Sequence, residues 1–499
     1  VTLLIGLVFG AGNTEADEPP KPLPFKTESF DKDPGWEGHN NRIVPDRVPT
    51  VTQDFGFSKT NFAGKAAGEL GGQVTRASEP AYYAAKIGPA TLADKLSASG
   101  SFAITKTEGG GGVFFGFFRA EQAGGGGRPT GSLGLHMDSE HGGGRLAVRL
   151  ITGRNQSCGT FITPFIPGKF RPTPLRNDGT RYRWTLEYDP IAAGGRGEFT
   201  FTLKGDAPKP GEFTKAEIPA KHKEEARLRF PDVNTWTVIL PDGYKEQGTT
   251  FDHFGLMNMM KPGGRMSIYF DDLQYLGHAQ DFSEDPTWDA AGNRATYQAK
   301  DVAGAHDFGF SNTNLAGGKA GEVGGTFWRS GKYGYYADKI GPLSLDDRLE
   351  ASGKVMLKSG APDSDMFLGW FNSANKDQPP TQAGHFLGVH VGGPTRVGHY
   401  FHPSMATAKG TGAPAPGGPV LAPGKVYDWT LLYDPAAEGG NGAITVTLGK
   451  ESVTFPLKKG IKAQGASFDR FGLFTSNIGG QIVRIYLDDL KYTASRPRR

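Results

Sequence analysis

The chain has 499 residues, enough for about three average domains or two large ones. Glycine is over-represented at 74 residues, while 37% hydrophobic and 11% aromatic residues supply material for packed cores, which excludes a disordered or collagen-like chain. Lys and Arg total 55 against 52 Asp and Glu, a net charge of +3, so the charge density that carries nucleic-acid binding is missing. The single cysteine, Cys158, excludes an internal disulfide and a Cys-rich metal site, and nothing in the composition calls for a cofactor.

Residues 1–16 read as a secretory signal peptide. The apolar run from Thr2 to Ala11 is too short to span a bilayer, and Thr14 and Ala16 precede Asp17 as a small-residue cleavage site. The chain opens with Val and has no basic segment before this run, so the start of the signal is truncated or misassigned. Residues 17–24 form a Pro-rich linker. No later stretch has transmembrane length, and the expected location is secreted, periplasmic or at the cell surface.

From residue 25 onward the chain is duplicated with a period near that of a whole domain. Phe30-Asp-Lys-Asp-Pro-Gly-Trp36 returns as Phe282-Ser-Glu-Asp-Pro-Thr-Trp288, and Asn41-Arg42 as Asn293-Arg294. Between Asp54–Gly100 and Asp307–Gly353 well over half of the positions are identical. Tyr182-Arg-Trp-Thr-Leu-Glu-Tyr-Asp-Pro190 matches Tyr427-Asp-Trp-Thr-Leu-Leu-Tyr-Asp-Pro435, and Ile268-Tyr-Phe-Asp-Asp-Leu273 matches Ile485-Tyr-Leu-Asp-Asp-Leu490. The repeat divides the chain into 25–279 and 280–494, followed by a basic tail, 495–499. The first copy carries an insertion at about 206–236, whose charged stretch Lys221–Arg229 is the one short-helix candidate, and in the second copy Gly410–Pro419 reads as a mobile loop.

Elsewhere the pattern has period two. Phe199-Thr-Phe-Thr-Leu203 and Ala443-Ile-Thr-Val-Thr-Leu448 alternate apolar and hydroxyl residues, as strands with one buried face do. Each follows Tyr-Asp-Pro and a glycine-rich stretch, which predicts a hairpin with a long turn. Many short strands between Gly and Pro turns predict an all-β protein of two tandem β-sandwich or jelly-roll domains.

The opening Phe-x-x-Asp-Pro-x-Trp, the Tyr-x-Trp-x-Leu-x-Tyr-Asp-Pro strand and the closing Tyr-x-Asp-Asp-Leu strand together resemble the concanavalin A-like lectin/glucanase (laminin-G-like) sandwiches. The resemblance covers both copies at the level of the fold. It implies a superfamily that includes lectins, carbohydrate-binding modules, glycoside hydrolases and polysaccharide lyases, among which the fold does not choose. The laminarinase-type Glu-x-Asp-x-x-Glu is absent from both copies, as is the Arg-x-Glu, Gln-x-His and Tyr-x-Lys set of alginate-lyase jelly rolls.

Four groups of residues carry candidate chemistry. Related carbohydrate-binding jelly rolls imply a structural calcium held by the closing-strand pairs Asp271-Asp272 and Asp488-Asp489, with Asp31 and Asp33, or Glu284 and Asp285, adding oxygens; the plainer reading is turn capping. Glu69 and Glu322 lie among glycines, with Arg76 and Arg329 seven residues on and Tyr83 and Tyr336 beyond, a set compatible with a sugar-binding face or with an internal Glu–Arg pair joining two strands. His136, Asp138 and Glu140 share one strand face, and with Glu69 they are the catalytic candidates; His390 aligns with His136, and the second copy's own cluster, His385, His390, His399 and His402, reads as surface or hairpin histidines. Phe117 and Trp370, and Phe115 beside them, are candidates for exposed aromatics on the sheet.

The reading that follows is an exported carbohydrate-binding, lectin-like protein recognising polysaccharide or cell-surface glycan. The rivals are a glycan-degrading hydrolase or lyase with its site in the first copy, and a structural or adhesive surface protein.

Overall fold

The computed structural model describes residues 23–120, 127–140, 143–163, 172, 174–205, 226–230, 235–329, 333–361, 364–376, 384–395, 398–410, 412–475 and 480–495. The signal-peptide reading and most of the Pro-rich linker and basic tail lie outside them. The described residues form four antiparallel sheets, of ten, seven, eight and eight strands. They make two β-sandwiches, each with its core between two sheets.

In unit 1 the ten-stranded sheet centres on Leu96–Thr107 and Arg265–Tyr275. The seven-stranded sheet runs Ser157–Phe161, Gly143–Ile151, Ser132–Glu140, Gly112–Phe118, Thr250–Asn258, Tyr82–Thr91 and Asp289–Ala291. Unit 2 repeats the plan, with Leu349–Gly360 beside Ile482–Thr493 in one sheet and Ser364–Phe371 between Phe386–Thr395 and Ser467–Phe474 in the other.

Alternation explains the cores. Glu198–Gly205 buries Phe199, Phe201 and Leu203 and leaves the threonines between them part-exposed, because successive side chains on a strand face opposite ways. The long-turn hairpin predicted after Tyr188-Asp-Pro190 forms between Arg181–Asp189 and Glu198–Gly205. Between the sheets Phe115 stacks on Phe270 at 3.9 Å, with Trp184 edge-on at 5.7 Å.

The units in space are offset from the repeats in sequence. The opening segment of the first repeat leaves its own copy: Phe25–Glu28 pairs with Ile482–Thr493 and Glu37–His39 with Tyr335–Ser344. The equivalent segment of the second repeat completes unit 1, where His278–Gln280 pairs with Arg265–Tyr275, Asp289–Ala291 with Tyr82–Thr91 and Arg294–Gln298 with Thr50–Ser58. Unit 1 is therefore continuous, about 50–298, and unit 2 combines about 25–42 with 307–495. We call these opening segments arms. Phe30 and Trp36 are buried in the core of unit 2 and Phe282 in that of unit 1, where Trp288 packs against it.

Two local expectations are corrected. Ala226–Phe230, at the end of the charged stretch read as a helix, is an edge strand paired with Thr235–Ile239; residues 221–225 lie outside the described set. Gly412–Pro414, read as part of a mobile loop, pairs along Gly398–Ala406, because the neighbouring strand offers an unpaired edge that satisfies its backbone.

Candidate functional site

Glu69 and Glu322 are fully buried and hold loops. Glu69 accepts hydrogen bonds from the Thr60 hydroxyl and from the amides of Phe62 at 2.9 Å and Ala63 at 2.7 Å. Glu322 does the same with Thr313, Leu315 and Ala316. The Glu–Arg pairing considered from sequence is not made, since seven residues along a strand reverse the face. Arg76 and Arg329 turn instead to Asp138 and Asp365.

Asp271 and Asp488 lie under the loops that these glutamates hold. A Cβ on Gly64 would fall 1.5 Å from the Asp271 carboxylate, and one on Gly317 1.7 Å from that of Asp488, so only glycine allows the loop this close. Burial, reinforced by neighbouring Asp272, Glu69 and Asp281, pushes the Asp271 carboxyl up to about 6. Asp488 is pushed to about 6 by burial, with Asp489 and Glu322 adding to it. Asp272 is exposed, and Asp489 pairs with Lys354. Asp31 travels with its arm to unit 2, so in space it belongs with the copy containing Asp488, away from Asp271. Among the described residues no three His, Cys, Asp or Glu side chains are gathered as a metal site.

Tyr83 and Tyr336 clamp the arms. The Tyr83 hydroxyl donates to Asp285 at 2.6 Å and accepts from the Trp288 amide, and Tyr336 donates to Asp33 at 2.8 Å. Phe115, Phe117 and Trp370 point into the cores, and the Trp370 indole donates to the Thr493 carbonyl at 3.0 Å. The expected exposed aromatics are thus corrected. On the outer face of the same strands the aromatics are Phe114 and Phe118 in unit 1, packed with Met257, Met259 and Met260, and Phe367 and Phe371 in unit 2, packed with Phe386 and Phe474. All of these are buried.

At one end of unit 1's outer face, His136 and Asp138 share that face of Ser132–Glu140; the Glu140 side chain of the expected stripe lies outside the described set. Asp138 is the centre of a basic cluster. Arg76 reaches it across Gly112, where a Cβ would meet the guanidinium. Arg128 stands 3.5 Å away, and Arg145 is its cross-strand partner. Burial would raise the Asp138 carboxyl, but Arg76, Arg128, Lys261 and Arg145 outweigh this and hold it far below the usual carboxylate range. Arg149, on the same face as Arg145, lies over the Phe161 ring. Arg76 is 7% exposed and its Nε, like that of Arg128, is buried without a hydrogen-bond partner. His136 is buried, and desolvation, with Arg128 and Arg149 acting in the same direction, pushes its pKa well below the ordinary histidine value. It is a neutral ring held edge-on to Phe114.

Unit 2 keeps the position and changes the chemistry. Asp365 occupies the place of Gly112 and Gly392 that of Asp138, so the carboxylate has crossed to the neighbouring strand. It faces Arg329 at 3.6 Å and His390 at 3.4 Å, and His390 stacks on His402 with ring nitrogens 3.1 Å apart. His402 and His399 are not surface residues: burial pushes them down to about 4 and about 3, and His399 bonds to Ser364 at 3.1 Å. His385 contacts the amide of Ser467.

Sequence reasoning missed Arg128, Arg145, Arg149 and Lys261. Arg145 and Arg149 had a signal, two arginines four apart on one strand face; Arg128 and Lys261 come from loops far apart in the chain. It also missed His253, held between Asp252 at 2.6 Å and Asp289 at 2.9 Å, with Tyr82 donating to the same Asp289. In unit 2 these places are taken by Arg470, Asp469, Glu37 and Tyr335. Since Asp289 and Glu37 belong to the arms, this second constellation locks each arm to its sheet.

No family model and no curated protein matches the chain. Among solved structures, mouse laminin alpha1 chain domains LG4-5 are 10% identical over 91% of this chain and 92% of that one, with a TM-score of 0.23. Peanut lectin is 16% identical over 39% of this chain and 92% of its own, at 0.26. A GH43 protein from Bacillus licheniformis is 10% identical over 76% and 74%, at 0.21. Likenesses at this level bear on neither ligand nor activity.

Proposed function

We propose that the chain is an exported, lectin-like protein that binds polysaccharide or cell-surface glycan, and that unit 1 takes an acidic one. The observation that carries this reading is the pair of guanidinium groups, Arg76 and Arg128, that meet Asp138 at low exposure and keep their Nε atoms buried without a hydrogen-bond partner, with Arg145 across the strand from the same carboxylate. Their N–H donors outnumber what one carboxylate accepts. Guanidinium groups recognise planar carboxylates and sulfates through paired N–H donors, so glycans bearing uronate or sulfate groups complement them. Asp138 then holds the arginines apart and oriented when no ligand is present. Of the candidates for catalysis, Glu69 is engaged by its loop, His136 is a buried neutral ring and Asp138 is held by arginines, arrangements that suit binding; the Glu140 side chain lies outside the described set.

The test is affinity electrophoresis and size-exclusion chromatography against uronate-rich, sulfated and neutral polysaccharides, before and after incubation. We expect retardation by acidic polymers, weakened by salt, with polymer length unchanged, and a loss of about tenfold in the Arg128→Gln/Arg145→Gln variant. Equal retardation by neutral polymers, or an unaffected variant, removes the acidic assignment. A shortened polymer replaces binding with hydrolysis or lyase chemistry, and no interaction with any polymer leaves the adhesive reading.

A further inference from the structure

We propose that the groove of unit 2 filled by residues 25–42 is a strand-acceptor site that takes the same arm from a second copy of the chain. The inference is independent of the glycan reading.

Both units recognise their arms through one set of contacts. The arm phenylalanine enters the core, Phe282 in unit 1 and Phe30 in unit 2. Its carbonyl lies where a Cβ on Gly68 or Gly321 would come within 1.9 Å, so both glycines, at φ +113°, are required by the close approach. Asn293 and Asn41 donate to the carbonyls of Phe55 and Phe308, each at 2.6 Å, and Arg294 and Arg42 to those of Phe57 and Phe310. In unit 2 a Lys26–Asp338 pair at 2.7 Å and an Arg470–Glu37 pair at 2.7 Å add to these. The groove therefore reads the arm's sequence and not merely an extended backbone.

What differs is the covalent connection. In unit 1 the arm follows its closing strand through the tight turn at Leu276-Gly277, with Tyr275 opposite His278, so no other copy competes for that groove. In unit 2 the arm comes from the far end of the chain, its partners some 300 residues away. It is tied to unit 1 only through residues 43–49, where Val44 and Val48 are exposed. An arm supplied by a neighbour makes the same contacts as the chain's own. The two arrangements differ in the linker and in effective concentration, which for a short tether is on the order of millimolar. Seven linker residues reach at most roughly 25 Å, so copies exchanging arms are closely apposed. Reciprocal exchange closes a two-fold dimer, while one-way exchange propagates an open chain.

The experiment uses the full chain in two differently tagged forms, unfolded together, refolded across a concentration series and separated by size. We expect mixed dimers whose fraction rises with concentration and which persist on dilution, since release requires Phe30 and Trp36 to leave a core. A protease site placed within 43–49 should convert those dimers into monomer-sized particles, each carrying the other's tagged arm. Phe30→Ala/Trp36→Ala chains should give at least about tenfold less mixed dimer. Monomers alone at every concentration, dimers that survive linker cleavage intact, or dimers insensitive to the arm substitutions would each overturn the proposal. Because the full chain is cut only after folding, failure of an arm-deleted form to fold does not enter the result.

Discussion

Glu69 and Glu322 show how a residue singled out correctly takes a role that its sequence neighbours do not reveal. Their glycine surroundings were legible as unusual, and the glycines serve the approach of Asp271 and Asp488 and of the arm carbonyls. The two aspartates carry a testable cost. Each folded-state carboxyl is raised to about 6 from an ordinary value of 3.8, so the folded protein binds these protons more tightly than the unfolded chain. Their penalty is absent below about pH 4 and fully present above about pH 6, and stability from these groups falls as pH rises between the two. We expect Asp271→Asn/Asp488→Asn to flatten that slope and to raise the melting temperature at pH 7 while leaving it nearly unchanged at pH 4. A thermal-unfolding series with an identical slope in both proteins would remove the assignment. The parity of aromatic strands was not legible: in Gly112–Phe118 both faces are aromatic, and which one meets the other sheet depends on residues distant in sequence.

At the scale of elements, the arms are the least predictable feature. The motif Phe-x-x-Asp-Pro-x-Trp announced itself twice, and its apolar residues announced burial. Sequence order suggested that each arm opens its own sandwich. The closing strand of unit 1 instead runs straight into the next arm, which local chain geometry favours because a tight hairpin forms with less loss of entropy than a long return. That leaves unit 2 to be completed by the first arm. Phe30→Ala and Trp36→Ala should each destabilise unit 2 by about 3–5 kcal/mol and leave unit 1 nearly untouched, whereas Phe282→Ala should do the reverse. Hydrogen exchange resolved by peptide separates the two. Equal loosening of both units by Phe30→Ala would contradict the arrangement. Ala226–Phe230, at the end of the charged stretch, is a strand and not a helix for a related reason: an open sheet edge offers the backbone partners that outweigh weak helix propensity.

At the scale of the whole molecule, Asp301 joins the units. It accepts from Ser78 of unit 1 and pairs with Arg484 of unit 2, beside a cavity of about 380 Å³ where the two crossing linkers, including Arg42–Pro45 and Lys300–Val302, meet. With Asp301 largely buried, Asp301→Ala strands Arg484, and we expect a loss of about 2 kcal/mol with faster hydrogen exchange at 77–80 and 299–306. Exchange at wild-type rates would show that the linkers alone hold the units together. The sequence by itself determined the all-β class, the duplication, the strands and the apolar positions of the cores, because these follow from period-two alternation, turn residues and repeated motifs that are local along the chain. Only the tertiary structure decided which face of each sheet is inside, which copy receives each arm, and that Arg76, Arg128, Arg145 and Lys261 surround Asp138. Those outcomes depend on contacts between residues hundreds of positions apart, where pairing and burial are settled by the competition of many segments for the same edges and cores.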